Sequence, residues 1–131
     1  MIFVDSNVPM YLGGAPGPLK DQALVLLETW LANKERLVTS VEVLQEILHR
    51  YSAIGRRDAI QPTFETLLGI VEEVFAIELR DIERAKAIVL GSRALSARDA
   101  LHLAVMERRG IFTIASFDRG FDGYPGITRL S

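Results

Sequence analysis

Short apolar runs alternate along the chain with longer segments whose apolar residues recur every three or four positions. Residues 1–4 form a continuous apolar run, which is typical of a strand buried on both faces of a parallel sheet. Residues 19–33 carry apolar side chains at helical spacing and predict a helix packed on the core. Further strands are predicted at residues 36–39, 73–79, 112–115 and 127–130.

Helix signals fill the segments between these strands. Thr39 and Glu42 have the spacing of a capping box, which predicts the start of a helix, and Gly110 is a typical helix end. Besides residues 19–33, helices are predicted from Ser6 or Asn7 to Met10, from the capping box to about Gly55, and at about 60–71, 81–90 and 96–109. This alternation predicts an α/β fold of three layers, with a central, mainly parallel sheet of four to five strands between helices.

The composition is that of a folded domain. The chain has 131 residues, of which 49% are hydrophobic and 24% charged, so we expect one domain over residues 1–131. No apolar run approaches the roughly 18 residues that cross a bilayer, and Asp5 interrupts the start where a signal peptide would be apolar. We therefore expect a cytoplasmic protein with no membrane contact.

The residue types restrict the chemistry. Without cysteine the chain has no thiolate site, and only His49 and His102 offer imidazole, so a metal would be held mainly by oxygen, which favours Mg²⁺ or Mn²⁺. The net charge of -2 gives no general attraction for nucleic acid. Local positive surface is available from arginines, among which the sequence does not choose: Arg50, Arg56, Arg57 and Arg98.

Four acidic residues map to the edge of the predicted sheet where ligands bind in parallel α/β folds. They are Asp5, Glu46, Asp99 and Asp118. Each alone has an ordinary structural explanation. Asp5 and Asp99 suit helix starts, Glu46 has the spacing to pair with Arg50, and Asp118 suits a turn.

Together, these four carboxylates would repel one another by several kcal/mol per close pair, taking an effective dielectric constant of about 20. A divalent cation would neutralise that repulsion, whereas without one some of the carboxyl pKa values would rise. The residues therefore point to an oxygen-ligand metal site.

Four segments of the chain follow one another in the order of a known set of motifs. They are residues 4–8 around Asp5, Ser40 with Glu46 six positions later, residues 97–104 around Asp99, and residues 114–121 around Asp118. In this order and spacing they resemble PIN domains, and specifically the VapC-type toxins of toxin–antitoxin pairs. The Asp-Ala-Leu-His-Leu-Ala block that starts at Asp99 is the most specific part.

The resemblance implies a PIN-like fold and a single-strand endoribonuclease that cleaves RNA with metal-activated water, leaving a 5′-phosphate. It assigns the Mg²⁺ site, with Mn²⁺ as an alternative, to Asp5, Glu46, Asp99 and Asp118. It also implies that Asn7 and Ser116 support the site by hydrogen bonding, with Ser116 where the family often has threonine. A VapB-like antitoxin is the implied partner, and family analogy together with the apolar helices near the amino terminus indicates a homodimer.

Two residues close to the four motif acids, Glu42 and His102, are not assigned to the metal site. Glu42 lies one helical turn before Glu46, but motif register favours Glu46 and the capping box accounts for Glu42. His102 lies on the same helix as Asp99, and we expect it to be a core histidine hydrogen-bonded to the backbone rather than a cleft residue. We expect His49 at the surface.

Two other functions compete with the nuclease. One is a phosphatase with Asp5 as the nucleophile that forms an aspartyl phosphate. Such enzymes usually need a second aspartate two residues later and a lysine toward the carboxyl end, but this chain has Asn7 there and its last lysine is Lys86. The other is a PIN domain that has lost catalysis and serves as an interaction module, although all four motif acids are present.

Overall fold

Five short strands form a fully parallel sheet at the centre of the molecule. The computed structural model describes residues 1–131. The strands are β1 (Ile2–Val4), β2 (Leu37–Ser40), β3 (Glu73–Phe75), β4 (Thr113–Ala115) and β5 (Thr128–Leu130). Their order across the sheet is β3-β2-β1-β4-β5, and every neighbouring pair is parallel. The predicted central parallel sheet is confirmed.

Six α-helices flank the sheet. They are α1 (Asn7–Leu12), α2 (Pro18–Ala32), α3 (Val41–Ala53), α4 (Ile60–Ile70), α5 (Leu79–Gly91) and α6 (Ala97–Arg109), with single 3₁₀ turns at Arg57–Ala59 and Arg119–Gly123. Helix α1 packs against α2 and α4, α3 packs against α4, and α5 packs against α6. Because parallel crossovers are right-handed, α1 to α4 cover one face and α5 and α6 the other, so the predicted three-layer α/β/α fold is confirmed. None of these helices has both the length and the apolar character to span a bilayer.

The apolar runs of β1 and β2 are explained by their position. Phe3, Val4 and Val38 have no solvent exposure, because helices cover both faces of the sheet around them. Helix α6 is also deeply packed, and its residues from Ala100 to Met106 are all buried. The candidate site residues that follow β1 or lie on α6 are therefore attached to a deeply buried part of the molecule.

Local hydrogen bonds correct two predicted boundaries. The third strand ends at Phe75 rather than Leu79, because Glu78 and Asp81 form a capping box that starts α5 at Leu79. The capping box predicted at Thr39 and Glu42 is absent. The Thr39 hydroxyl instead donates to the Val4 carbonyl oxygen at 2.8 Å and joins β2 to β1, which leaves Ser40 as the N-cap residue of α3.

Helix α2 buries a narrower apolar stripe than its spacing predicted. Ala23 and Trp30 are buried, but Leu24 is 39% exposed and Leu31 is 57% exposed. With one short helix beside it, α2 has partners for only one side of its circumference. The rest of its apolar surface faces solvent.

The strand order places a cleft beyond the carboxyl ends of β1 and β4. Successive strands are added on one side of β1 up to β3, after which the chain crosses to the other side of β1 to form β4. At such a switch point the connections leave in opposite directions and open a crevice. Asp5 lies at this edge of the sheet, where its amide donates to the Ala115 carbonyl oxygen at 3.0 Å.

Candidate metal centre

Asp5 and Glu46 meet at this crevice together with His102. Asp5 directly follows β1, Glu46 lies on the second turn of α3, and His102 lies on the second turn of α6. One carboxylate oxygen of each acid and one ring nitrogen of His102 all lie within 4.8 Å of one another. Three segments that are remote in sequence thus bring two carboxylates and an imidazole within reach of a single ion.

Ser6 holds the two carboxylates together, a role that the sequence analysis did not predict. Its amide donates to Asp5 Oδ1 at 2.7 Å, and its hydroxyl donates to Glu46 Oε2 at 2.8 Å. Ser6 is also the N-cap residue of α1, but its side chain makes no capping hydrogen bond. Its position beside Asp5 was the only available sign, because a serine at a helix start is normally explained by capping.

A second serine joins the other side of the site. The buried Ser116 hydroxyl donates to Asp5 Oδ2 at 2.6 Å and accepts hydrogen bonds from Asn7 Nδ2 at 3.2 Å and from the Asp118 amide at 3.0 Å. Asn7 Oδ1 accepts from the Phe117 amide at 3.2 Å. Asn7 and Ser116 thus have hydrogen bonds of the kind expected of supporting residues, and their role in metal binding stays a prediction.

Asp99 and Asp118 lie at the same edge but outside the tight cluster. The Asp99 amide donates to Ser96 Oγ at 3.2 Å at the start of α6, while Asp118 is exposed and its Oδ1 accepts from the Gly120 amide at 2.8 Å. A Cβ at Gly120 would lie 3.1 Å from Asp118 Oδ1 and 3.8 Å from Asp99 Oδ2, so both carboxylates border this glycine. Burial, followed by the negative charges of Asp118 and Asp5, raises the pKa of Asp99 to about 6.

His102 does not have the environment predicted for it. It is fully buried, but its Nε2 lies 2.6 Å from Glu46 Oε1 and 3.7 Å from Asp5 Oδ1, and no backbone oxygen accepts from it. Since a carboxylate only accepts, Nε2 is the donor. Burial alone would lower the pKa of His102, but the Glu46 hydrogen bond and the charges of Asp5, Glu46 and Asp99 raise it. The predicted surface position of His49 is confirmed.

The two clustered carboxyl groups respond differently to the same surroundings. Burial, reinforced by the Glu46 charge, raises the pKa of Asp5 above its ordinary value despite the opposing effect of His102. Burial also acts to raise the pKa of Glu46, but hydrogen bonds and charge from His102, with smaller contributions from Ser6 and Arg98, hold it below its ordinary value. The site therefore contains more buried negative charge than His102 offsets.

This donor set fits a divalent cation of the Mg²⁺ or Mn²⁺ type. Carboxylate oxygens are the ligands that such ions prefer, and a bound cation would offset both the burial and the mutual repulsion that raise the pKa values of Asp5 and Asp99. His102 Nε2 is engaged with Glu46, so it fits the role of orienting that carboxylate better than the role of a ligand.

The structure also tests the ordinary explanations of the acidic residues. Glu46 forms no ion pair with Arg50, because Ser6 and His102 occupy its oxygens. Asp5 is not the N-cap residue of α1, since Ser6 is. Glu42 remains separate from the cluster, and burial raises its pKa against the opposing charge of His102. Because the predicted capping box is absent, the structure shows no capping role for Glu42.

The chain matches the family model described as the PIN domain over residues 2–127. It is 59% identical over all 131 residues to the ribonuclease VapC13 of Mycobacterium tuberculosis, and the match covers 100% of both chains. It is 41% identical to the ribonuclease VapC23 of the same species over 118 residues, which are 90% of this chain and 93% of that protein.

The fold also resembles solved structures. The crystal structure of Mycobacterium tuberculosis VapC20, described as a toxin that cleaves the sarcin-ricin loop, superposes with a TM-score of 0.76 at 25% identity, covering 97% of this chain and 98% of that one. VapBC2 from Rickettsia felis, bound to a DNA fragment from its promoter, gives 0.73 at 18% identity with 99% and 98% covered, which shows the fold alone.

The match lies in the nuclease family rather than among aspartyl phosphatases, and it spans all four acidic positions. The chain belongs to the PIN-domain family and, within it, to the VapC ribonucleases.

Proposed function

We propose that this chain is a metal-dependent endoribonuclease that acts as the toxin of a VapBC-type pair, with residues 1–131 forming a single PIN domain. The observation that carries the proposal is the placement of Asp5 and Glu46 within reach of one ion at the switch point of the sheet. Asp99 and Asp118 border the same edge. The VapC ribonucleases that this chain resembles support RNA as the substrate.

The chain's residues would hold Mg²⁺, or Mn²⁺, through the carboxylates of Asp5, Glu46, Asp99 and Asp118. When bound, such an ion supplies charge neutralisation for the scissile phosphate and lowers the pKa of an attacking water. Ser6, Ser116 and His102 orient the carboxylates of Asp5 and Glu46 by hydrogen bonds. Because these contacts exist within the folded chain, the carboxylates are arranged before substrate arrives.

The test is cleavage of a mixed RNA pool by the purified chain with Mg²⁺, with a chelator, and in Asp5→Asn and Asp99→Asn variants. Glu28→Gln, on the exposed face of α2, is a matched control for the loss of one negative charge. We expect Mg²⁺-dependent cleavage in the wild type and the control, and loss of at least 100-fold in both site variants. Equal cleavage in all samples would mean a contaminating nuclease, and no cleavage of any RNA would contradict the proposal.

We also propose that a VapB-like antitoxin binds and inhibits this chain. Support comes from structural relatives solved as a toxin–antitoxin complex from Klebsiella pneumoniae and as VapBC2. The expected result is that a purified VapB-type antitoxin suppresses cleavage at a stoichiometric ratio. Undiminished cleavage in the presence of a saturating cognate antitoxin would argue against the toxin assignment while leaving the nuclease assignment intact.

A homodimer is the third part of the proposal. It rests on the apolar surface of α2, where Leu24 and Leu31 lie two turns apart on one stripe of the helix and are 39% and 57% exposed. A second copy would remove this surface from water, at roughly 25 cal/mol per Å² of apolar area. Sedimentation velocity should give a dimer for the wild type and a monomer for Leu31→Glu, and a monomeric wild type at high micromolar concentration would rule the dimer out.

A further inference from the structure

A small polar cleft lies directly beside the carboxylate cluster. Its volume is about 270 Å³. Glu46 and Ser6 border it on the side of the cluster, and its other walls include Tyr11, Arg50 and Arg98. Helices α1, α3 and α6 each contribute one of these three walls, so the cleft exists only in the folded chain.

Arg50 and Arg98 differ from half of the chain's arginines in having no acidic partner. Six of the twelve arginines form ion pairs with carboxylates, namely Arg36, Arg56, Arg80, Arg84, Arg108 and Arg129. Arg50 and Arg98 form neither an ion pair nor a side-chain hydrogen bond, although Glu46 is a neighbour of both in the cleft wall. Their guanidinium donors are free for a ligand.

Tyr11 supplies an aromatic surface in the wall of the same cleft. Its ring contacts Phe117 edge to face, with centroids 5.1 Å apart and an interplanar angle of 79°. This contact holds the ring while leaving it half-exposed in the cleft wall. Tyrosine and arginine side chains are the groups on which unpaired RNA bases stack.

The charge distribution indicates which kind of ligand the cleft would bind. A chain of net charge -2 with an acidic cluster repels a polyanion unless cations are placed beside the cluster. The cleft is just below the roughly 300 Å³ at which small-molecule pockets begin, which limits it to one nucleotide unit. It combines free guanidinium groups for a phosphate with an aromatic ring for a base.

We infer that this cleft binds the nucleotide of single-stranded RNA adjacent to the cleaved bond, with Arg50 and Arg98 on its phosphate and Tyr11 on its base. The inference rests on the proposed ribonuclease function and selects two arginines from the four that the sequence left open. Arg56 is excluded by its pair with Asp58, and Arg57 does not line the cleft.

The experiment measures kcat/KM for a single-stranded RNA oligonucleotide over a series of salt concentrations. Arg50→Ala and Arg98→Ala should each lower kcat/KM at least fivefold and reduce the slope of log(kcat/KM) against log[salt] by about 0.7, the value for one lost phosphate contact on a single strand. Arg36→Ala is the matched control, since it removes the same charge at the opposite edge of the sheet, beside the start of β2. Its slope should equal that of the wild type.

Two substitutions test the proposed stacking role of Tyr11. Tyr11→Leu should lower kcat/KM at least fivefold, because loss of one stacked base costs about 1 to 3 kcal/mol. Tyr11→Phe keeps the ring and should stay within twofold of the wild type. The Mg²⁺-induced rise in melting temperature should be unchanged in all these variants, which shows that the fold and the carboxylate cluster are intact.

The outcomes separate the two proposals. If the wild type cleaves RNA but the Arg50, Arg98 and Tyr11→Leu variants match Arg36→Ala, the cleft inference is wrong and the nuclease stands. RNA binding is also measured by fluorescence anisotropy with chelator present. Wild-type binding that depends on Arg50 and Arg98 without any cleavage would support the cleft and overturn the nuclease, whereas neither binding nor cleavage would overturn both.

Discussion

His102 Nε2 donates to Glu46 Oε1 at 2.6 Å, which joins two residues 56 positions apart across the buried side of the cleft. The contact fixes one oxygen of Glu46, while Ser6 fixes the other. His102 packs against Phe3 of the central strand, with ring centroids 5.5 Å apart, and is fully buried. The orientation of Glu46 is thus coupled to the rigid core rather than to solvent.

Replacing His102 should weaken metal binding without removing a ligand. His102→Leu deletes the donor to Glu46, and we expect the Mg²⁺ concentration for half-maximal cleavage to rise about 10- to 100-fold, as for other residues that orient ligands. His102→Gln keeps an N–H donor and should lose less. Rates measured over a Mg²⁺ series check this, and an unchanged Mg²⁺ dependence in the leucine variant would mean that His102 only fills space.

Ser116 should matter for stability as well as for the site, because its hydroxyl serves Asp5, Asn7 and the Asp118 amide at once. Ser116→Ala leaves the buried Asp5 carboxylate and two part-buried donors without this partner, and we expect a loss of about 1 to 3 kcal/mol in the free energy of unfolding. Urea unfolding measures this value. Ser116→Thr retains the hydroxyl and is the control, and equal loss in both variants would attribute the effect to packing instead.

The raised pKa of Asp99 predicts a pH dependence of the metal-free protein. The carboxyl group has a pKa of about 6 when folded and an ordinary value near 3.8 when unfolded. Its ionisation therefore costs no stability below about pH 4, and the cost grows with rising pH and is complete above about pH 6. Asp99→Asn should remove this cost.

The measurement is the free energy of unfolding with chelator at pH 4.5 and pH 7.5. Relative to the wild type, Asp99→Asn should be more stabilising at pH 7.5 than at pH 4.5 by about 1 kcal/mol, after allowance for the partial exposure of the side chain. Saturating Mg²⁺ should stabilise the wild type more than the variant. A difference that shrinks as pH rises would contradict the assigned direction of the shift.

The ion pair between Asp81 on α5 and Arg108 on α6 should contribute strongly to the stability of the folded chain. Asp81 is 1% exposed, and Arg108 donates to both of its oxygens at 2.6 and 2.9 Å. Burial acts to raise the pKa of Asp81, but Arg108 and the Glu78 amide hold it below its ordinary value. Asp81→Ala leaves a guanidinium without its partner, and we expect a loss of about 3 kcal/mol.

An exposed ion pair between the same two helices is the control for this prediction. Arg84 and Glu107 are hydrogen-bonded at 2.6 Å but are about half-exposed, so Glu107→Gln should cost much less stability than Asp81→Ala. Thermal unfolding of both variants gives the comparison. Equal losses would show that burial of the Asp81 pair adds nothing.

Much of the fold could be predicted because the signals are local. The buried run of β1, the amphipathic spacing of α3 and the capped start of α6 are properties of adjacent residues, and each corresponds to an observed element. Asp5 and Asp118 could be placed at one sheet edge because the carboxyl ends of parallel strands meet there. The predicted third strand is longer than the observed one, because the Glu78–Asp81 capping box starts α5 where alternating apolar residues suggest a continuing strand.

The element order, the parallel sheet and the identity of the four acidic candidates thus follow from the amino-acid sequence alone, because periodicity, capping and each single motif involve residues that are close together in the chain. Three features depend on the packing of the folded chain: His102 faces Glu46, Ser6 joins Glu46 to Asp5, and Arg50 and Arg98 border the cleft without acidic partners. The two hydrogen bonds to Glu46 join residues 40 and 56 positions apart, and these side chains have several alternative partners of similar chemistry. The packing of α1, α3 and α6 around the sheet selects among those partners.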